Sequence, residues 1–464
     1  MTETTSAARD RELSYLTASE LARHFRTHEL SPVPVTQAIL RRIERLEPSV
    51  NAFVLVDPEA ALANAKASEA RYRVGSPLSE LDGVTVSLKD LLLARGWPTR
   101  KGSRTTSAAG PWNEDSPAAV RLREAGAVLL GKTTTTEFGL KGLGDSPLTG
   151  ITRNPWNLEH SPGGSSAGAV AAVAAGLGAL AVGTDGGGSI RVPAAFAGVV
   201  GLKPTFGRVP TYPAGVIGAP PHVGPIARSV RDAALLLRVL ARPDDRDPYR
   251  LPPDDRPLLD TASPALDGLH IGYSAGLFPA ELSAELSAAF ERAVEVFRGL
   301  GAILSPIEDR FESPAPILTT LFQARAAFTV KDLSPEQRAL LDPAIEAAAR
   351  EGEALSLLDY LTAEAARTSL AQQLAVLHRR FDLLLTPSTG ELPPKVDAEP
   401  SALRAPFTGA FSLTRQPAMS LPNGQSQNRL PIGLQIVGRH FEEASVLRAA
   451  AAFETRVSFI APPL

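Results

Sequence analysis

Residues Gly163 to Thr205 read GGSSAGAVAAVAAGLGALAVGTDGGGSIRVPAAFAGVVGLKPT. The segment opens on Gly163-Gly164-Ser165-Ser166, and an Ala/Val-rich helix, apolar all round, is expected to follow. A Gly-Ser turn with a serine capping a helix would by itself explain the opening. The second cluster, Gly186-Gly187-Gly188-Ser189, is harder to explain as a turn. Each glycine adds backbone entropy that folding must overcome. Three in a row make sense where consecutive N–H groups of Gly186, Gly187 and Gly188 point into one concavity. Such a cradle can hold the oxyanion of a tetrahedral intermediate formed at Ser189. The weakly polar run Ala169–Gly183 is too short and too glycine-rich to cross a bilayer.

Upstream, Lys89 ends the apolar run Val84–Leu88. A lysine at a strand end is ordinarily a surface residue. Held in a desolvated pocket, it would favour the neutral amine and act as a base near neutral pH.

Two other motifs compete for attention. Gly126-AVLL-Gly131-Lys132-Thr133 satisfies a phosphate-loop pattern. That loop needs a strand before its first glycine and a flexible turn after it. Here a helix precedes, and Ala-Val-Leu-Leu is strand material, so a buried strand is expected. Gly164-Ser165-Ser166-Ala167-Gly168 fits a G-x-S-x-G nucleophile elbow centred on Ser166. The polar, proline-bearing segment before it cannot be the buried strand that an elbow requires. None of His222, His270, His378 and His440, its possible bases, has a distinctive setting.

Working outward, Thr17 and Glu20 form a capping box ahead of a helix through Leu21 and Phe25. A second helix is expected from about Pro34, with further helices at Pro58–Tyr72 and Pro117–Ala125. Strands are expected at Ala52–Val56, Val84–Leu88, Val128–Leu130, Leu269–Tyr273, Asp382–Thr386 and Ile432–Val437. This alternation indicates an α/β fold with its sheet buried on both faces. The Pro/Asp-rich stretch Arg242–Pro264 reads as an exposed excursion from a single domain spanning residues 1–464.

The chain has 464 residues, 44% of them hydrophobic, enough for a large core. Charged residues make up 21% and the formal net charge is -3. This balance lacks the footprint of a nucleic-acid or anionic-membrane binder. With no cysteine, disulfides, thiolate catalysis and cysteine-bound zinc are excluded. The polar N-terminus lacks a secretory signal, so a cytoplasmic location is expected.

The run Gly163–Thr205 resembles the defining segment of the amidase signature family. Lys89-Asp90, Gly131–Phe138, Gly224-PIARSVRDAALLL, Gln416-PAMSLPNG and Pro431-IGLQIVG extend the resemblance over most of the chain. It implies a large mixed, twisted β-sheet covered by helices on both faces. It further implies Ser189 as nucleophile, Ser165 as a bridging serine after a cis peptide, and Lys89 as general base. The N–H groups of Gly186, Gly187 and Gly188 would stabilise the oxyanion, with Asp185 and Arg191 fixing the loop. No metal and no cofactor are implied, and a monomer or homodimer is expected.

Some residues depart from the family's habit. Ala167 replaces a common glycine, Gly186 a Thr, Val or Ile, Thr134 an Asn, and Ala197 a Cys. The expected activity is hydrolysis of a small-molecule carboxylic amide; a carbamate or ester hydrolase using the same residues is the alternative. The glutaminase component of a tRNA-dependent amidotransferase usually carries Gln after Ser-Ile-Arg, where this chain has Val192. A silent binding scaffold is disfavoured because all three triad positions are present. Pocket walls are expected around Glu137–Ser146, Tyr212–His222 and Phe407–Arg415, with Tyr212, Phe407 and Phe411 as apolar candidates.

Overall fold

Short apolar runs lacking a helical period need partners on both sides, and a sheet supplies them. The computed structural model describes residues 3–214, 221–259, 265–398, 405–457 and 459–464. Every run expected as a strand enters one eleven-stranded mixed sheet. In chain order the strands are β1 (Phe53–Val56), β2 (Thr85–Lys89), β3 (Val128–Thr133), β4 (Asp145–Ser146), β5 (Gly150–Ile151) and β6 (Leu180–Asp185). They continue with β7 (Val200–Lys203), β8 (His222–Ala227), β9 (His270–Tyr273), β10 (Ile303–Pro306), β11 (Leu383–Pro387), β12 (Ala418–Gln425) and β13 (Pro431–Gly438). The sheet order is β1-β3-β2-β6-β8-β7-β12-β13-β11-β9-β10, while β4 and β5 form a separate antiparallel pair.

The centre of the sheet, from β6 through β8, β7, β12 and β13 to β11, is antiparallel. Parallel pairs flank it: β2 with β3 and β6 on one side, β9 with β10 and β11 on the other. Strands β2, β3, β6, β7, β8, β11 and β13 are buried at every residue. Helices therefore cover both faces, which is why these strands read as unbroken apolar runs and not as alternating ones.

The helix starts follow local chemistry. Thr17 and Glu20 close a reciprocal capping box on helix Ala18–Arg26. The next helix runs Pro32–Val50, two residues earlier than expected, because Ser31 caps it and a proline is tolerated in the first turn. Helices Pro58–Arg73 and Pro117–Glu124 fall where they were expected.

Five strands of the sheet, β6, β7, β8, β10 and β12, escaped the sequence reading, and β6 shows why. The apolar stretch after Ser166 is helical only over Ala167–Ala174; Gly176, at φ 68°, turns the chain, and β6 follows. Both pieces are buried on all sides, so neither shows a period that distinguishes helix from strand.

Within Gly126–Thr133, residues Val128–Thr133 form the buried strand anticipated. The N–H of Val128 donates to the Val84 carbonyl, tying this backbone into the sheet. Gly131 is required by packing: a Cβ there would lie 2.0 Å from the Leu55 carbonyl oxygen of β1. In the excursion, Arg246 pairs with Asp244, and Arg256 with Asp254 and Glu442; residues 260–264 lie outside the described ones. Among the described residues, no helix is long and apolar enough to cross a membrane.

Candidate active site

Three chain segments meet at the C-terminal ends of β2 and β6. β2 ends on Lys89, and β6 ends on Thr184 and Asp185. The start of helix Ala167–Ala174 brings in Ser165 and Ser166. The Gly164–Ser165 peptide is cis, as the resemblance implied.

Lys89 has 0% of its surface exposed. Its Nζ lies 2.7 Å from Ser165 Oγ, 2.9 Å from Ser166 Oγ and 2.9 Å from Thr184 Oγ1, with the Thr184 carbonyl oxygen at 3.4 Å. No carboxylate among the described residues forms an ion pair with it. Burial holds the amine's pKa well below the ordinary lysine value; Asp185 pulls it upward, and the Arg325 charge adds to the depression. An amine surrounded by hydroxyls and stripped of water is disfavoured in its charged form.

After β6 the chain runs through Gly186, Gly187 and Gly188 to Ser189 and into helix Arg191–Ala197. Asp185 organises this turn. Its carboxylate accepts from the N–H of Gly188 at 2.8 Å, of Ile190 at 3.2 Å and of Arg191 at 3.4 Å. Arg191 grips it with two side-chain bonds of 2.9 Å while also donating to Gln435 and Ser412 at 2.7 Å each. Burial alone would raise the Asp185 pKa, but the Arg191 charge and hydrogen bonds hold it well below the carboxylate range.

The cradle of three N–H groups needs correction at Gly188, whose N–H is already committed to Asp185. Among the described residues, the N–H groups of Gly186 and Gly187 have no hydrogen-bond partner in the protein, so two donors remain. Gly188 is needed for another reason: at φ 134°, a Cβ would fall 2.2 Å from Thr408 Oγ1. Thr408 in turn donates to the Gly187 carbonyl at 3.0 Å and so helps set the loop.

Ser189 is partly exposed and lines a cavity of ≈ 170 Å³. Its carbonyl accepts from the Ser166 N–H at 3.2 Å, which places residue 189 beside the 165–166 pair. No hydrogen bond joins the hydroxyls of Ser165 and Ser189. Leu140, Leu143, Val192, Phe196 and Phe322 form the apolar walls of the cavity, with Lys141 and Glu391 as charged members.

The expected wall Glu137–Ser146 thus contributes through Gly139–Leu143. Phe407 and Phe411 do not line the cavity: both are 0% exposed, and Phe411 packs on Phe278. Tyr212 instead lies under the Arg246 guanidinium; residues 215–220 of that expected wall lie outside the described ones. Phe196 and Phe322 were missed because a helical phenylalanine facing a cavity reads like one facing the core.

The elbow reading of Ser166 fails on geometry, because no histidine among the described residues bonds to it. His222, His378 and His440 bond to the main-chain carbonyls of Asp185, Phe381 and Thr414, and the His270 side chain is exposed. Thr184 and Ser166 on the lysine amine were not anticipated either. The only available signal was that Thr184-Asp185 stands directly before the triple glycine.

The chain matches the family model described as Amidase over residues 34–447. It is 34% identical to an acylamidase of Rhodococcus erythropolis over 462 residues, 96% of each chain. It is 36% identical over 479 residues to a glutamyl-tRNA(Gln) amidotransferase component of Geobacter metallireducens, spanning 96% of this chain and 97% of that one. Among solved structures, a bacterial aryl acylamidase of the amidase signature enzymes superposes with a TM-score of 0.89 at 29% identity, covering 96% of this chain and 97% of the other.

Proposed function

The chain belongs to the amidase family and is an amide-hydrolysing enzyme; from that premise we propose that it works through a Ser189 acyl-enzyme, with Ser165 as proton relay and Lys89 as base. The observation that carries this reading is Lys89 itself: a wholly buried amine without an ion-pair carboxylate, 2.7 Å from the hydroxyl of Ser165. Neutral Lys89 takes the Ser165 proton while Ser165 takes that of Ser189, and Ser189 attacks the amide carbonyl. The N–H groups of Gly186 and Gly187 receive the oxyanion. The proton returns through Ser165 to the leaving amine, and water then cleaves the acyl-enzyme. The Ser165–Ser189 bond is absent from the resting geometry; such contacts commonly tighten only around substrate.

The cavity walls favour an amide carrying an apolar or aromatic group, in line with the acylamidase and aryl acylamidase relatives. A free glutamine would bring a carboxylate among Val192, Phe196 and Phe322, which cannot pair with it. The Lys141 ammonium is already bound by Asp145 and Asp342. The test compares an anilide, an ester and a carbamate with wild type, Ser189→Ala and Lys89→Ala in the presence of EDTA. Loss of all three activities in Ser189→Ala, with the anilide preferred by an EDTA-indifferent wild type, is the expected outcome. A Ser189→Ala protein that keeps most of its activity would overturn the reading.

A further inference from the structure

We infer that Ser166 is a positioning residue that aims the lone pair of Lys89 at Ser165; the inference rests on the catalytic reading above. A neutral amine has two N–H bonds and one lone pair, so its use as a base depends on which neighbour faces the lone pair. Four oxygens surround Nζ, and the polarity of the Ser166 contact can be assigned from the protein alone. Ser166 Oγ lies 3.2 Å from the Thr184 carbonyl oxygen, which only accepts, so the Ser166 proton goes there. Its lone pairs are left for donors: the Thr184 N–H at 3.4 Å and an N–H of Lys89 at 2.9 Å. Ser166 therefore accepts from the amine.

Thr184 takes the second N–H, through Oγ1 at 2.9 Å with its carbonyl at 3.4 Å behind. With both N–H bonds engaged, the lone pair is left for the Ser165 hydroxyl, whose Oγ lies 2.7 Å away. Without the Ser166 hydroxyl, an N–H can swing onto Ser165 Oγ. Lysine would then be a donor to the group it must deprotonate. The fold permits this arrangement because β2 and β6 pair only as far as Leu88 and Val182. Beyond that point the Thr184 main chain is free to bond with Ser166 instead of with β2.

Ser166→Ala isolates the hydroxyl, since the main-chain bond from Ser166 to Ser189 is kept. With an anilide substrate, kcat is expected to fall about 10- to 100-fold, the scale of a misdirected proton transfer, while KM stays within about twofold. Thr184→Val, which keeps the accepting carbonyl, should show a smaller loss in kcat at unchanged KM. Should Ser166→Ala not fold, Ser166→Cys takes its place: the thiol fills the space but accepts poorly, and the same fall in kcat is expected. Unchanged kcat in the Ser166 variant, or a loss carried by KM, overturns the inference. So does a larger loss in Thr184→Val than in the Ser166 variant. Ser189→Ala, run alongside, separates the two ideas: if it is inactive while Ser166→Ala keeps its full kcat, only the positioning role fails. If Ser189→Ala stays active, the catalytic reading itself has failed.

Discussion

Lys89 and Lys132 lie at the ends of neighbouring parallel strands, one register step apart, with Leu88 opposite Lys132 and Lys89 opposite Thr133. Both are 0% exposed. Lys132 Nζ sits 2.9 Å from a carboxylate oxygen of Asp90 and 2.8 Å from Thr99 Oγ1. The Nζ of Lys89 meets only hydroxyls and a carbonyl. The two lysines share residue type, burial and strand context, yet differ in the single property that decides their chemistry. Burial lowers the Lys132 pKa too, but there the Asp90 charge and hydrogen bond pull it back up, as in a structural ion pair. Where no carboxylate bonds to the amine, burial disfavours the ammonium, which is what the base role proposed for Lys89 requires.

This contrast is open to direct attack. The largest effect is expected from Lys89→Met, which should lower kcat/KM on the order of 10³-fold or more through loss of the base, with the protein still folded by circular dichroism. Lys132→Met should instead strike the fold. Leaving Asp90 buried without its partner should cost about 3–5 kcal/mol in urea titrations, and adding Asp90→Asn should recover part of that by removing the stranded charge. If Lys132→Met folds normally but is inactive, or if Lys89→Met unfolds, the division between the two lysines collapses.

The smallest effect, taken per unit of pH, is a pH dependence. The folded pKa of Lys89 is depressed, so between that value and the unfolded lysine value of about 10.4 the unfolded chain holds one more proton than the folded one. Wild-type stability relative to Lys89→Met should therefore rise with pH across that window, by up to about 1.4 kcal/mol per unit. Below the folded pKa both states are protonated and the difference should level off. The activity of wild type should fall over the same lower limb as the amine gains its proton. Urea midpoints of both proteins measured from pH 6 to 9 read the sign, and a difference that narrows as pH falls only because both proteins unfold would not count.

Much of the fold was legible because strand ends coincide with chemistry the chain cannot hide. The six expected strands all lie in the sheet, bounded by Asp, Pro and Gly residues that mark turns. β6, β7, β8, β10 and β12 were not read as strands. β6 follows its helix without any change in polarity, and β8 begins at His222, inside what reads as a loop rich in Gly and Pro. The phosphate-loop and elbow patterns could be set aside from sequence, since each demands a preceding strand that the neighbouring residues cannot form.

At the site, Lys89, Ser165, Ser189 and the triple glycine stood out as residue types in a telling pattern. The sequence by itself therefore determined which groups are present and in what order they leave the strands. Tertiary structure decided their states, because pKa, hydrogen-bond polarity and donor availability depend on neighbours distant along the chain. Ser165, 76 residues after Lys89, arrives at hydrogen-bond distance from it. Asp185 takes the Gly188 N–H from the cradle, and Thr408, 221 residues beyond Gly187, pins the loop. Which of two buried lysines has its charged form supported depends on whether a carboxylate ends up within about 3 Å of it, as Asp90 does for Lys132, since Coulomb attraction is strong in a low dielectric and falls off with distance.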